Sequence, residues 1–261
     1  MLIDSHFHPQ ILQESLSDDQ LAQLLHRAQQ AQVHILLAVA VSLADVNYLQ
    51  RLAQTYPQIY YSVGIHPLYI DQGCLPPAFV LPDDPKCVAI GEIGLDYGDD
   101  CSAEFQQVQQ AVFRMQLQLA YQQHKPVIIH NRHAGHDILK ILAEFPGIKG
   151  VLHCFNDSLE IAQRAIDMGL YLSFAGIITF ANKSLDPLRE VIQQIPLERI
   201  LVETDAPYLT PVPWRGHYPN EPQYLTAIAQ KICSLKNISL TQGAAAFTQN
   251  TMTLFNFQYD D

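Results

Sequence analysis

The sequence predicts an α/β protein, a single (β/α)8 TIM barrel, from three observations. Eight short apolar runs recur along the 261 residues. Amphipathic stretches of helical period lie between them. The polar residues that interrupt the pattern stand at the carboxyl ends of the runs, which a barrel gathers at one mouth. A doubly wound sheet accepts the same alternation but spreads those ends along an edge, so the placement of the polar residues decides for the barrel. The whole chain, 1–261, is expected to form one domain, since barrels of this length commonly do.

The runs occupy residues 2–6, 33–41, 59–65, 87–93, 126–130, 148–153, 170–174 and 199–203. They are short, rich in β-branched residues and nearly continuous, as strands buried on both faces are. Ahead of the second run, Leu21, Leu24, Leu25, Ala28 and Ala31 follow helical spacing, with Ser17 and Gln20 set as a capping box. Residues 105–123 predict a long helix with Val108, Val112, Met115 and Leu119 on one face. Residues 159–168 predict another, and Gly169 suits its C′ position. The Pro-, Gly- and Asp-rich stretch 69–85 and the stretch 210–222, with Pro211, Pro213, Pro219 and Pro222, are expected as long loops after the third and eighth strands. Such loops shape the pocket of a barrel.

Composition bounds the rest. Hydrophobic residues make up 48% and charged residues 16%, enough for a large core. The start Met1-Leu2-Ile3-Asp4 carries no basic stretch followed by an apolar one, so no leader is expected, and no run is long enough to span a bilayer. Five cysteines, Cys74, Cys87, Cys101, Cys154 and Cys233, fall in no paired spacing, which favours reduced thiols in the cytoplasm. A net charge of −11 excludes a basic surface for wrapping nucleic acid. Bound cations would let such a chain act on phosphates all the same.

The first run ends in Asp4-Ser5-His6-Phe7-His8, and strand alternation sends His6 and His8 to one side. Two imidazoles so placed can hold one cation. Glu92 lies inside an otherwise apolar fourth run, between Gly91 and Gly94, which suggest a close backbone approach to a ligand. A buried carboxylate must be ion-paired, protonated or metal-bound. The fifth and sixth runs end in His130 and His153, and Asp205 follows the eighth. One strand-terminal histidine is ordinary packing. Three strands ending in histidine beside a fourth bearing Glu92 are hard to explain that way. His6, His8, Glu92, His130, His153 and Asp205 are therefore the expected ligands of one or two divalent cations, Mg, Mn or Zn, with Glu92 and Asp205 also the expected catalytic carboxylates of a hydrolase that activates water.

With Gly64-Ile65-His66-Pro67, the stretch 91–96, His153-Cys154-Phe155 and the stretch 203–209, the chain resembles the TatD-like metal-dependent deoxyribonucleases of the amidohydrolase-like superfamily, in order along nearly its whole length. The resemblance implies 3′→5′ cleavage of phosphodiester bonds at DNA ends. It implies one cation on His6, His8, Glu92 and Asp205 and a second on Glu92, His130 and His153. It also implies a substrate contact at His66. Arg132, whose planar fork suits a phosphate, is a further candidate contact. The chain departs from the common pattern at His130-Asn131-Arg132-His133 and at Asn156-Asp157-Ser158, both expected at the rim. Single-stranded DNA ends are the expected partner, and no membrane. Tyr208, Trp214 and Tyr218 are candidate stacking surfaces for bases. Two other functions fit the same residues: hydrolysis of an ester, lactone or amide outside nucleic acids, and a metal-binding regulatory role.

Overall fold

A computed structural model of the chain describes residues 1–13, 16–71, 76, 79–99 and 101–257. Cys74 and much of the expected 69–85 loop lie outside the described residues. Eight parallel strands form one sheet in sequence order: β1 (Leu2–Phe7), β2 (Val33–Ala38), β3 (Ile59–Val63), β4 (Cys87–Asp96), β5 (Val127–Arg132), β6 (Gly150–Leu152), β7 (Tyr171–Phe174) and β8 (Ile200–Val202). The sheet returns on itself at its two ends. Phe7 bridges Ala206 in parallel, the Asp205 amide donates to the His6 carbonyl at 2.9 Å, and the His8 amide donates to Ala206 at 2.7 Å. The expected TIM barrel is the observed fold.

Its helices are α1 (Pro9–Gln13), α2 (Asp18–Gln30), α3 (Val46–Thr55), α4 (Ala103–Gln123), α5 (Gly135–Leu142), α6 (Leu159–Asp167), α7 (Asp186–Gln194), α8 (Leu225–Lys236) and α9 (Leu240–Phe255). The capping box of α2 forms as its sequence dictates, Ser17 accepting from Gln20 and Gln20 from the Ser17 amide. Gly169 follows α6 at φ +92°, a conformation that glycine adopts without strain. Among the described residues between β3 and β4 there is no α-helix, only a 3-10 turn over Pro67–Tyr69.

Two apolar layers hold the barrel. The outer one packs the helices on the strands, with Leu24, Leu25, Leu49, Phe113, Leu117, Ile138, Ile192 and Ile228 buried against it. The inner one draws Ile3, Ile35, Leu37, Tyr60, Ile128, Val151 and Leu201 from many strands at once, and Leu254, Phe255 and Phe257 close it from below. Burial of side chains of this size contributes roughly 1.5–3 kcal/mol each. Ser5 and Ser173, on strands that are not neighbours, meet across the lumen at 3.3 Å. No helix among the described residues is long and apolar enough to cross a membrane.

Candidate metal centre

The carboxyl ends of the strands surround a cavity of about 580 Å³. Strand β4 brings Glu92 to its floor, only 2% exposed, and the histidines from the other strands converge on its two oxygens. Oε2 lies 3.4 Å from His6 Nε2 and 3.6 Å from His8 Nε2. Oε1 lies 2.8 Å from His153 Nε2, 3.0 Å from His130 Nδ1 and 3.3 Å from His66 Nε2. Asp205 Oδ1 stands 3.5 Å from His8 Nε2 and 3.9 Å from His6 Nε2. All six expected ligand residues thus meet, divided between the two oxygens of one carboxylate, and His66 joins the Oε1 side. Arg132 is not part of the cluster. It lies exposed at the rim with its guanidinium over Gly98, close to Asp96.

The glycines around Glu92 serve strand contact rather than ligand approach. A Cβ on Gly91 would sit 2.5 Å from the Ile128 Cβ, and one on Gly94 would sit 2.1 Å from the His130 carbonyl. Their absence of side chains lets β4 press against β5, which sets His130 beside Glu92.

The outer ring nitrogens show how each imidazole is held. His8 Nδ1 is 2.9 Å from the Val39 carbonyl, which can only accept, so Nδ1 carries the proton and Nε2 presents its lone pair to the centre. His130 Nε2 donates to Asp96 Oδ2 at 2.9 Å and leaves Nδ1 for the centre. His153 Nδ1 lies 3.4 Å from Glu203 Oε1, held there as an ion pair rather than by an aligned hydrogen bond. Glu203 is itself fixed by the Cys154 amide at 2.5 Å. His66 is held the opposite way. Its Nδ1 accepts from the Leu68 amide at 3.1 Å, so a neutral His66 has its proton on Nε2 and enters the cavity as a donor. The residues that sequence reasoning missed are these supports, Asp96 and Glu203. Both belong to stretches that carried the resemblance, but nothing in a strand pattern names the imidazole a carboxylate will meet.

Charge is tightly coupled here. Burial works against ionising Glu92, yet His153, His66 and His130 hold it well below the usual carboxylate range. Burial likewise opposes a proton on His153, and Glu92 and Glu203 override it, carrying the imidazole well above its ordinary value. His8 is raised against burial by Asp205 and Glu92, and His130 by Asp96 and Glu92. Asp205 is lowered in spite of burial, chiefly by His8 and His6. His6 and His66 are lowered by burial.

The donor set fits divalent cations. Two overlapping groups, His6/His153/Asp205 and His6/His8/Glu92, each bring their ligand atoms within 4.8 Å of one another, and Glu92 and His130 meet equally closely beside the Nε2 of His66. The Nε2 atoms of His6 and His8 face each other at 3.1 Å, an unfavourable meeting of lone pairs unless a proton or a cation lies between them. Imidazole with carboxylate suits Mn, Zn, Fe or Ni, and a phosphate ligand would add Mg.

The remaining candidates are scattered by the fold. Tyr208 stands at the mouth, 46% exposed, and Tyr218 lies exposed on the loop after β8. Trp214 is instead stacked on Tyr224, ring centroids 4.4 Å apart, so it packs its own loop. The described cysteines, Cys87, Cys101, Cys154 and Cys233, are free thiols. Cys154 lines the cavity, where burial and the carboxylates of Asp205 and Glu203 push its thiol well above the ordinary range.

Comparison with known proteins places this geometry. The family model for TatD-related DNases matches residues 3–256. The chain is 37% identical, over 98% of its length and 99% of the other, to the uncharacterized metal-dependent hydrolase YabD of Bacillus subtilis (strain 168). It is 35% identical, over 89% of its length and 90% of the other, to the 3′-5′ ssDNA/RNA exonuclease TatD of Klebsiella pneumoniae (strain 342). The crystal structure of YJJV, a TatD homolog from Escherichia coli K12, superposes with a TM-score of 0.84 at 32% identity, covering 98% of both chains.

Proposed function

Because this chain belongs to the TatD-related DNase family and is a metal-dependent hydrolase, we propose that it trims single-stranded DNA from the 3′ end, its 261 residues working as one barrel domain in the reducing cytoplasm. The observation that carries the reading is the division of Glu92. Its Oε2 is turned to His6 and His8, its Oε1 to His130 and His153. One cation would be held by His6, His8, Glu92 and Asp205, a second by Glu92, His130 and His153. Cations held there would supply the Lewis acidity that cleavage of an unreactive phosphodiester requires.

The chain's own groups supply the rest. Asp205 stays ionised but is a weakened base, so its first part is to orient the attacking water through Oδ1. His66 would donate from Nε2 to a substrate oxygen without adding charge. Arg132, exposed at the rim beside Asp96, would bind a phosphate through its fork. Leu68, Tyr69 and Tyr208 put exposed apolar surface on the same rim, where bases can stack. A floor this deeply buried admits the end of a strand more readily than an uninterrupted duplex.

The test is a gel time course with a 5′-labelled single-stranded oligomer and Mg, Mn, Zn or EDTA, with Glu92→Ala as the contamination control. A cation-dependent ladder shortening from the 3′ end, absent in the variant, supports the reading. No cleavage by protein shown to hold a cation overturns it and moves the search to lactones, amides and other esters, or to a regulatory role.

A further inference from the structure

A second polar cavity, about 470 Å³, lies against the first on the side of β5 and α5. Asn131, His133 and Asn156 line both, so the two cavities adjoin along these residues and together form the groove considered below. Its carboxylates are already engaged. Asp137 Oδ2 accepts from the Tyr97 hydroxyl at 3.0 Å and from Gln110 at 3.1 Å. Asp157 accepts from Asn131 at 3.0 Å and from the Ser158 amide at 2.7 Å. Its histidines are placed differently. His133 is exposed at φ +56°, with no hydrogen bond or ion pair among the described residues, at the junction of the two cavities and next to Arg132. His136 is exposed farther along, its Nδ1 3.5 Å from the guanidinium of Arg164. In a chain of net charge −11, Arg132, His133 and His136 form a run of hydrogen-bonding side chains along the two cavities, with Arg164, also ion-paired with Glu160 at 3.6 Å, beside His136.

Resting on the nucleic-acid reading above, we propose that this groove is a second subsite, in which His133 and His136 bind the phosphate of the nucleotide next to the one being removed. Arg132 meets the scissile phosphate, and the groove takes the strand behind it, along the β5–α5 turn. The subsite gives preference to chains of several nucleotides over the shortest substrate, because a dinucleotide has no second internal phosphate to place there.

The experiment compares a dinucleotide with a thymidine dodecanucleotide, in the cation-loaded protein and in the His133→Ala/His136→Ala double variant. Binding of the fluorescently labelled dodecanucleotide is measured in parallel by anisotropy with EDTA present. In the double variant the advantage in KM of the dodecanucleotide over the dinucleotide is expected to shrink about tenfold and the Kd in EDTA to rise by a similar factor. His133→Arg, which keeps a donor at the junction, restores most of the affinity in the His136-intact protein. Wild-type cleavage of both substrates, with an unchanged KM ratio and Kd in a folded double variant, overturns the subsite and leaves the nuclease reading standing. Cleavage and binding of neither by the wild-type protein overturns both.

Discussion

Asp96 Oδ2 sits 2.9 Å from His130 Nε2, and this one contact decides which nitrogen of His130 faces Glu92. The His130 side chain is 19% exposed, on a strand whose end is open to solvent. A carboxylate that orients a ligand histidine commonly governs metal affinity by 10–100-fold. Asp96→Asn is therefore expected to weaken cation binding by about that factor while leaving the fold intact by circular dichroism. Isothermal titration with Mn reads it, and unchanged affinity would show that His130 is not a ligand through Nδ1.

Glu92 and Asp205 carry the heavier loss. Glu92→Ala or Asp205→Asn should lower hydrolysis by about 10³-fold or more, the scale seen when a member of a catalytic unit is removed. Turnover retained in both purified variants would remove these carboxylates from the site.

Arg132→Ala should raise KM for an oligonucleotide about tenfold, with little change in kcat, if the guanidinium binds a phosphate in both ground and transition states. Steady-state kinetics distinguish this from a KM that does not move, which would leave Arg132 a rim residue beside Asp96.

Cation binding should tighten as pH rises. His8, His130 and His153 hold their protons above the ordinary histidine value in the cation-free centre, and those protons must leave when a cation enters. The same groups stabilise the cation-free fold below the unfolded histidine value, and that contribution is lost as pH climbs through their folded values. Glu92, Asp205 and Asp96, all lowered, contribute above the unfolded carboxylate range and lose their part as pH falls through their folded values. His6 and His66, also lowered, act in the opposite sense and subtract stability below the ordinary histidine value. The gain in Tm on adding Mn, compared with EDTA, should thus be larger at pH 8 than at pH 5.5. The reverse order would contradict the proton-for-cation exchange.

Gly94 offers a test of packing. At φ +141°, with a Cβ placed 2.1 Å from the His130 carbonyl, Gly94→Ala should cost about 1–3 kcal/mol through the backbone alone and shift His130 besides. Lowered Tm together with weakened cation binding is the expected outcome. An unaltered Tm would mean that β4 and β5 are free to part.

What the sequence made legible follows from period. Apolar runs and amphipathic stretches located the eight strands and the long helices, and strand-terminal histidines located the mouth. Strand ends were less legible: the apolar pattern continues through Val39, Val41 and Ile65, which are buried beyond the ends of β2 and β3, although the Val39 amide still donates to the Phe7 carbonyl at 2.9 Å and the Val41 carbonyl accepts from the His66 amide at 2.9 Å. Burial is what the pattern reports, and it outlasts regular strand pairing. Partners were not legible at all. Asp96 and His130 are 34 residues apart, and only the register that sets Asp96 against Arg132 brings them together. Trp214 looked available because an aromatic in a Pro-rich loop carries no mark of the tyrosine it will stack on.

The seam between β1 and β8 has a consequence in time. His6 and His8 precede Asp205 by nearly 200 residues in the order of synthesis. The Thr204 amide must reach back to Asp4 at 2.9 Å to hold the two ends in register. A chain still emerging from the ribosome, or one cut short before Thr204, has every histidine of the centre and no way to close it. Hydrolysis is therefore expected only once the last strand has docked on the first.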